Sequence, residues 1–211
     1  MRTTVVVAAS DGGRQLLPST ARDAEMVIAA DGGLDLAEQL GLRPGLVVGD
    51  LDSVTGPALE RARAAGIEVR EFAADKDLTD LELALAAAAG TGADRTVVLG
   101  GAGGRLDHLL ANIAVIASID SPIEGWLGTA LVVPVAEHWQ LDLPEGLLVS
   151  LIAFGGDAVV TATGLQWGLA EDVLAAGEAR GVSNRASGGT VEVTVSSGVV
   201  LVVIPDAGVL L

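Results

Sequence analysis

Short aliphatic runs alternate with helix-like stretches along the first 120 residues of the chain. The aliphatic runs fall at residues 4–9, 26–30, 46–49, 67–72 and 96–99. Patterns with helical spacing separate them, at residues 34–40, 57–65, 79–89 and 106–117. Strands that are apolar on both faces and alternate with helices are typical of a parallel sheet covered on both sides. The pattern therefore predicts a Rossmann-like α/β domain over residues 1–120, with helices on both faces of its sheet.

From residue 121 onward the pattern becomes that of an all-β domain. Short strand-like segments, separated by Gly, Pro, Asp and Ser, fall at residues 131–135, 139–143, 147–153, 158–162, 191–195 and 199–204. Ser196-Ser197-Gly198 predicts a hairpin turn between the last two of them. Only residues 170–179 interrupt this half with a helical pattern. We expect a β-sandwich or barrel over residues 121–211.

One predicted helix has a specific start signal. Thr79 precedes an apolar, Ala-rich stretch, and Glu82 follows it three residues later. This spacing is that of a capping box, in which the side chain of each residue bonds the backbone N–H of the other. The sequence therefore predicts that a helix begins just after Thr79.

The charge and composition exclude several classes of function. The formal net charge is −16, which disfavours binding to nucleic acid, because the phosphates would be repelled. The chain has no Cys, so disulfides, thiolate zinc sites and a Cys nucleophile are excluded. No window approaches the roughly 18 uninterrupted apolar residues of a membrane helix, and the first apolar run is too short for a signal peptide. We therefore expect a cytoplasmic protein with no nucleic-acid or membrane partner.

Glycine or aspartate follows the predicted strands of the first domain. The segments are ADGG at residues 30–33, GDLDS at 49–53, DKDLTD at 75–80 and GGAGGRLDH at 100–108. All strands of a parallel sheet point the same way, so these turns gather at its carboxyl edge. That edge is where open α/β sheets bind their ligands. The sequence thus predicts a ligand site built from several strand ends.

Asp50 and Asp52 are two apart, so in extended chain their side chains lie on the same side, with Cα atoms about 7 Å apart. Carboxylates that converge to about 4 Å repel by roughly 4 kcal/mol at an effective dielectric constant near 20. A divalent cation removes that repulsion, and oxygen ligands favour Mg²⁺. With Asp77 and Asp80 expected at the same edge, the sequence predicts a metal site. The alternative is a solvated acidic turn in which Asp52 or Ser53 caps the next helix.

The glycine-rich run at residues 99–108 is suited to phosphate. Glycines let backbone N–H groups approach an anion, the following helix offers its positive end, and Arg105 could clamp phosphate. It is not a Walker loop, since no Gly-Lys-Ser/Thr follows. The alternative is a tight turn with a surface Arg. His108 is either a ligand contact or a histidine at the start of a helix.

Six segments together resemble the thiamine pyrophosphokinase family. They are the four strand-end motifs, with the last extended to GGAGGRLDHLLAN at residues 100–112, followed by TGLQWGL at 163–169 and VSN at 182–184. Each motif is weak alone, but their order and spacing match across nearly the whole chain. The resemblance implies an α/β nucleotide-binding catalytic domain followed by a β-sandwich that binds thiamine. It also implies a Mg²⁺-dependent homodimer in which thiamine sits where one subunit's C-terminal domain meets the other's N-terminal domain.

The resemblance also implies roles for individual residues. Metal and triphosphate binding, and with it catalysis, fall to Asp50, Asp52, Asp77 and Asp80. Nucleotide contacts fall to Asp31, Gly32, Gly33, Thr79, Gly100, Gly101, Arg105, Asp107 and Asn112. Thiamine contacts fall to Trp167, Ser183 and Asn184.

The expected reaction moves the pyrophosphoryl group of ATP to the hydroxyl of thiamine, giving thiamine diphosphate and AMP. A Trp on a loop is a suitable platform for a flat cationic ligand, whereas Trp126 and Trp139 lie in strand-like stretches and are expected in the core. Lys76 either neutralises phosphate or pairs with its acidic neighbours. Two other functions stay open: a non-catalytic sensor of thiamine or its diphosphate, and a pyrophosphokinase acting on another hydroxymethyl acceptor.

Overall fold

The computed structural model describes residues 1–9 and 13–211. These residues form two compact units, Met1–Gly128 with Leu211, and Thr129–Leu210. The division therefore lies at residue 128 rather than at residue 120. The reason is a strand at Ile123–Leu127, which pairs in parallel with Arg95–Leu99 and so extends the sheet of the first unit.

The first unit is a parallel sheet with helices between its strands. The strands are β1 (Thr3–Val7), β2 (Met26–Ala30), β3 (Leu46–Gly49), β4 (Glu68–Glu71), β5 (Arg95–Leu99) and β6 (Ile123–Leu127). The helices are α1 (Ser19–Arg22), α2 (Gly33–Gln39), α3 (Gly56–Ala64), α4 (Asp80–Ala89) and α5 (Leu106–Ala117). The strands lie in the order β6-β5-β1-β2-β3-β4, and each adjacent pair is parallel.

The central strand β1 is buried along its whole length. In β1, Val5, Val6 and Val7 have no exposed surface. A strand has side chains on both faces, so complete burial requires cover on both sides of the sheet. Helices α2 and α4 both contact β1 and β2. The predicted α/β sheet with helices on both faces is confirmed.

The predicted start of α4 is also confirmed. The Thr79 hydroxyl accepts a hydrogen bond from the Glu82 N–H at 3.2 Å, and Glu82 Oε2 accepts one from the Thr79 N–H at 2.7 Å. Both halves of the capping box are present. Two backbone donors that the helix itself cannot satisfy are thereby bonded.

The second unit consists of antiparallel sheets. Its strands are β7 (Ala130–Val135), β8 (His138–Leu143), β9 (Leu148–Ala153), β10 (Ala158–Thr163), β11 (Leu169–Leu174), β12 (Asn184–Arg185), β13 (Gly189–Ser197) and β14 (Val200–Ile204), followed by a 3-10 helix at Ala207–Leu210. One sheet has the order β12-β9-β14-β7 and the other β11-β10-β13-β8. In β13, Val191, Val193 and Val195 are buried and alternate with exposed residues, as expected of a sheet with one face on the core. The predicted all-β second domain is confirmed.

The predicted hairpin at Ser196-Ser197-Gly198 is wrong. β13 pairs with β8 and β10, whereas β14 pairs with β7 and β9, so the chain crosses here from one sheet to the other. An alternating pattern tells which face of a strand is buried, but long-range pairing decides its partner.

The predicted helix at residues 170–179 is also wrong. This segment begins with β11, which pairs antiparallel with β10, so that Val159 lies opposite Val173. Glu171 has φ = 53°, which is incompatible with a right-handed helix. Helix propensity is a weak preference. Pairing of this segment with the edge of β10 satisfies backbone groups of both strands and outweighs that preference.

The hydrophobic pattern missed α1, β12 and the 3-10 helix at Ala207–Leu210, and it indicated β6 only through the strand-like stretch around Trp126. Within residues 1–9 and 13–211, no helix is long and apolar enough to cross a membrane.

We predict that Thr79→Ala lowers the free energy of unfolding by about 1 kcal/mol, because the helix loses its N-cap oxygen. Urea denaturation of the ligand-free protein measures the change. Thr79→Ser keeps the oxygen and serves as the matched control. Equal losses in the Ala and Ser variants would contradict a capping role.

Candidate functional site

A cleft of about 950 Å³ opens at the carboxyl edge of the parallel sheet. Segments that follow β1, β2, β3 and β5 line it, together with the first turns of α4 and α5. The chain runs from β1 outward to β4 on one side and returns to place β5 on the other side of β1. Such a reversal of strand order leaves a crevice where open α/β sheets bind ligands. The strand-end segments singled out in the sequence therefore meet as expected.

Three carboxylates converge in this cleft. Asp31, Asp50 and Asp52 each offer one oxygen, and these oxygens all lie within 4.8 Å of one another. Asp31 follows β2 and Asp50 follows β3, and these strands are neighbours in the sheet. The Asp31 N–H donates to the Val48 carbonyl at 2.8 Å, which ties the two strand ends together. We call these three residues the carboxylate cluster.

A tight turn, not extended chain, brings Asp50 and Asp52 together. Leu51 between them has φ = 64°, in the left-handed region that non-glycine residues rarely adopt. The Asp52 N–H points back to Asp50 Oδ1 at 3.5 Å, and the Ser53 hydroxyl donates to Asp52 Oδ1 at 2.9 Å. The expectation of extended geometry is therefore corrected, although the two carboxylates do converge.

Asp31 is the buried member of the carboxylate cluster, with 7% of its surface exposed. Burial raises the pKa of Asp31, and the nearby charge of Asp80 adds to that effect, although hydrogen bonds from Gly32 and Ser53 oppose it. Its Oδ1 atom is buried and has no hydrogen-bond partner among the described residues. A carboxylate that is buried with an unsatisfied oxygen is suited to bind a cation.

Gly49 allows the acidic residues to pack this closely. A Cβ atom at this position would lie 2.9 Å from the Asp31 Cβ and 3.1 Å from Asp80 Oδ1. Any side chain would therefore push Asp31 and Asp80 apart.

Lys76 bridges two of the acidic strand ends. Its Nζ atom lies 3.0 Å from Asp80 Oδ1 and 3.5 Å from Asp50 Oδ2. Burial by itself lowers the pKa of Lys76, but the hydrogen bond and charge of Asp80 and the charge of Asp50 outweigh it, so the pKa is raised. The expected pairing with the sequence neighbours Asp75 and Asp77 is replaced by pairing with residues of a different strand end and of α4.

The donor set fits a hard divalent cation. Mg²⁺ prefers carboxylate oxygens and commonly takes one or two of them together with substrate phosphates. The carboxylate cluster supplies three such groups, one of them with an unsatisfied buried oxygen. Asp80 lines the same cleft, whereas Asp77 is exposed and is not among its lining residues. Of the four carboxylates expected to bind metal, the structure thus places Asp50 and Asp52 in the cluster. It adds Asp31, which the sequence assigned to nucleotide binding.

The glycine-rich loop after β5 is held by side-chain amides. Asn112 Nδ2 donates to the Gly101 carbonyl at 3.0 Å, and Gln15 Oε1 accepts from the Gly100 N–H at 3.1 Å. The Gly101 N–H donates to the Ala9 carbonyl at 2.9 Å. The N–H groups of Gly100 and Gly101 are therefore used within the protein. Gly103, Gly104 and Arg105, which line the cleft, are better placed for a phosphate.

Arg105 and Asp107 form an exposed bidentate pair. Arg105 Nε lies 3.1 Å from Asp107 Oδ1, and Arg105 Nη2 lies 2.5 Å from Asp107 Oδ2. The Arg105 hydrogen bonds lower the pKa of Asp107. Arg105 and His108 line the cleft, whereas Asp107 does not. The role of Asp107 visible in the structure is therefore to orient the guanidinium.

Of the two glycines at the start of α2 that were expected to contact the nucleotide, one lines the cleft and the other packs against the sheet. Gly32 lines the cleft. A Cβ at Gly33 would lie 1.9 Å from the Val7 carbonyl oxygen, so Gly33 is required for close packing of α2 on β1.

In the second unit, Trp167 is the exposed Trp, with 57% of its surface accessible. Trp126, in the first unit, is buried as expected, and Trp139 is only partly buried. A Trp that packs in the core is buried. The exposed indole of Trp167 is therefore not a core side chain and is available to a ligand.

Asn184 holds the backbone around Trp167. Its Oδ1 accepts from the Trp167 N–H at 3.1 Å and from the Arg185 N–H at 2.8 Å, and its Nδ2 donates to the Trp167 carbonyl at 2.7 Å. Asn184 is 5% exposed. Ser183 has φ = 63°, and its N–H donates to the Ser150 hydroxyl at 3.0 Å. Asn184 thus positions Trp167 rather than presenting its own amide to solvent.

Sequence reasoning missed Gln15 and the place of Asp31. Gln15 binds backbone atoms of Gly100, Trp126 and Gly128, all more than 80 positions away, and nothing near it in the sequence signals those contacts. Asp31 directly follows a predicted strand, so the reasoning applied to Asp50 could have placed it.

Comparison with known families supports both halves. The sequence model of the family described as "Thiamin pyrophosphokinase, catalytic domain" matches residues 17–124, which include the carboxylate cluster. The model described as "Thiamin pyrophosphokinase, vitamin B1 binding domain" matches residues 138–200, which include Trp167 and Asn184.

The chain belongs to the thiamin pyrophosphokinase family.

Relatives in this family are similar at moderate identity. The thiamine pyrophosphokinase of Bacillus subtilis (strain 168) is 33% identical over 119 residues, which are 55% of this chain and 55% of that protein. The chain thus matches about half the length of this curated relative. Thiamine pyrophosphokinase 1 of Oryza sativa subsp. japonica is 27% identical over 200 residues, 89% of this chain and 71% of that protein.

Solved structures of the family share the fold. The crystal structure of the Bacillus subtilis thiamine pyrophosphokinase has a TM-score of 0.83 at 24% identity, covering 97% of this chain and 98% of that one. That of the Geobacillus thermodenitrificans thiamin pyrophosphokinase has a TM-score of 0.78 at 23% identity, covering 97% of both chains. The α/β plus antiparallel β architecture is therefore that of thiamin pyrophosphokinases.

We predict that Asp31→Asn raises the unfolding temperature of the metal-free protein at neutral pH. The raised pKa of Asp31 means that the folded state disfavours its ionised form, so wild-type stability falls as the pH rises from 3.8 through the folded-state pKa. Asn is neutral and also tolerates the positive φ of this position. Each kcal/mol relieved raises the unfolding temperature by about 2–4 °C.

Calorimetric scans of both proteins between pH 4 and pH 8 measure this effect. The difference in unfolding temperature should shrink as the pH is lowered towards 4. A difference that does not vary with pH would show that the Asp31 charge is not its source.

Proposed function

We propose that this chain catalyses transfer of the pyrophosphoryl group from ATP to the hydroxyl of thiamine, forming thiamine diphosphate and AMP and releasing a proton. The observation that carries the proposal is the carboxylate cluster of Asp31, Asp50 and Asp52 in a cleft large enough for a nucleotide. It lies within the segment that matches the family's catalytic domain.

The charge of the cleft supports a metal-bound polyphosphate as its ligand. Five Asp residues line it: Asp31, Asp35, Asp50, Asp52 and Asp80. Arg105 is the one Arg or Lys among the described lining residues. A free triphosphate would be repelled by this surface, whereas one that carries divalent cations would be attracted. Simple anion binding is therefore a poor explanation of the cleft.

The residues present fit Mg²⁺, and Asp31, Asp50 and Asp52 would hold it, with Asp80 beside them. When bound, the metal supplies charge neutralisation for the phosphate oxygens. The chain's own groups position the reactants: Gly103, Gly104 and Arg105 border the phosphates at the start of α5. A carboxylate of the cluster is available to accept the hydroxyl proton of the acceptor.

The second unit supports thiamine as the acceptor. Trp167 exposes a flat aromatic surface, which attracts the positively charged thiazolium ring of thiamine. Asn184 fixes the backbone of Trp167 with two hydrogen bonds, so the indole is attached to a backbone that is preorganised before ligand binds.

We further propose a homodimer that completes the active site at the subunit interface, located in the cytoplasm where ATP and Mg²⁺ are available. The exposed apolar side chains of α5 support an interface, since Leu106 is 68% exposed and Leu110 is 59% exposed.

The deciding experiment incubates the purified chain with ATP, Mg²⁺ and thiamine and identifies all products by chromatography. We expect thiamine diphosphate and AMP in equal amounts. ADP with thiamine monophosphate would contradict transfer of two phosphates. Thiamine binding without turnover would indicate a sensor, and turnover only with another hydroxymethyl compound would indicate a different acceptor.

We expect Asp52→Asn to lower kcat by about 100-fold or more, because removal of a charged group that acts on the reacting phosphates has effects of that order. Asp23→Asn is the matched control, since Asp23 is exposed before β2, at the opposite end of the strand from the cleft. Circular dichroism checks that both variants fold. Near-normal AMP formation by Asp52→Asn at saturating Mg²⁺ would count against the metal assignment.

We predict that Trp167→Ala raises the KM for thiamine by about tenfold with a smaller change in kcat, because it removes a stacking and cation–π surface. Asn184→Ala should show the same pattern while keeping the indole, because the Trp167 backbone is released. Gln166→Ala is the control, since Gln166 bonds the Arg185 carbonyl through its backbone N–H, which the substitution keeps. A KM unchanged in Trp167→Ala would exclude the stacking role.

A further inference from the structure

The chain's single Lys lies among the acidic strand ends. Lys76 belongs to the loop between β4 and α4, and its side chain is 15% exposed. Its ammonium lies 3.0 Å from Asp80 Oδ1 and 3.5 Å from Asp50 Oδ2. It therefore links the end of β3 to the first residue of α4.

Lys76 is the cation that compensates these carboxylates. Among residues 1–9 and 13–211, no other ion pair involving Asp50 or Asp80 is present, and none involves Asp31 or Asp52. Asp80 Oδ1 is buried and lies 3.0 Å from the Lys76 ammonium, so the ammonium is what balances its charge. Without Lys76, four neighbouring carboxylates would face one another with no positive partner.

Asp50 contacts the Lys76 ammonium and also belongs to the carboxylate cluster that would bind a metal. Its Oδ2 atom makes the contact to the ammonium. A divalent cation bound by the cluster would therefore lie near a like charge, and the two would repel. A metal that arrives with a triphosphate brings negative charge that offsets the ammonium, whereas a free metal does not.

We infer that Lys76 is a positioning residue that acts as the resident counter-ion of Asp50, a member of the carboxylate cluster, and of its neighbour Asp80. It keeps Asp50 and Asp80 in place before substrate binds, and it lowers the affinity of the cluster for free divalent metal, so that the metal enters together with the triphosphate. This inference rests on the proposed function and deepens it by stating that metal and nucleotide bind together rather than separately.

The test measures binding of Mn²⁺ alone to the nucleotide-free protein, by electron paramagnetic resonance of the unbound ion. Lys76→Met removes the charge and keeps most of the side-chain volume. We expect it to bind Mn²⁺ about tenfold more tightly or better, because a like charge is removed from the vicinity of the metal. Its metal-free form should also unfold at a lower temperature than wild type, and added Mg²⁺ should raise that temperature more than it does in wild type.

Two further variants separate the counter-ion role from a purely structural one. Lys76→Arg keeps the positive charge and should bind Mn²⁺ as wild type does. Lys76→Gln keeps a hydrogen-bond donor without the charge and should behave like Lys76→Met, even if the Met variant folds poorly. Arg70→Met removes a cation that pairs with Glu68 on the surface, and it should leave Mn²⁺ affinity unchanged.

Unchanged or weaker Mn²⁺ binding in the folded Met and Gln variants would overturn the inference, because a structural ion pair alone predicts no gain in affinity. Failure of the proposed function is distinguishable, since it would be seen as absence of thiamine diphosphate in the wild-type assay whatever the metal affinity of the variants.

Discussion

Repulsion between carboxylates is the constraint around which the first unit is organised. Asp31, Asp50 and Asp52 hold oxygens within 4.8 Å of one another, and Asp80 stands beside them. At such distances each pair of ionised groups repels by roughly 3–4 kcal/mol when the effective dielectric constant is near 20. Only a rigid support can keep these groups together, and strands β1, β2 and β3, buried except for Met26 at the start of β2, provide it. The ends of these strands cannot move apart without disrupting the core.

The same repulsion favours the binding of a cation. A site that is unfavourable when empty gains free energy when a cation enters, and this is a common trade of stability for activity. The raised pKa of Asp31 and its unsatisfied oxygen are two expressions of that trade. Lys76 moderates it by placing one positive charge between Asp50 and Asp80.

Uncharged amides hold the loops around the reactive groups. Gln15 and Asn112 bind the backbone of the glycine-rich loop, and Asn184 binds the backbone at Trp167. In each case the amide satisfies backbone groups and leaves the nearby charged or aromatic side chain free to face a ligand. Loops fixed in this way lose little conformational entropy when a ligand binds.

Local pattern in the sequence determined the elements and the chemistry of the strand ends. Aliphatic runs predicted β1 to β5, Thr79 and Glu82 predicted the start of α4, and Asp50 and Asp52 indicated a cluster of acids at the sheet edge. These features follow from hydrophobic periodicity and short-range hydrogen bonds, which neighbouring residues decide. Tertiary structure alone decided which strands are adjacent, and so which acids meet: Asp31 joined the cluster because β2 lies beside β3, and Asp77 did not. It likewise sent β13 and β14 to different sheets, made residues 169–174 a strand, and paired Lys76 with Asp50 and Asp80, because contacts between distant segments override local preference.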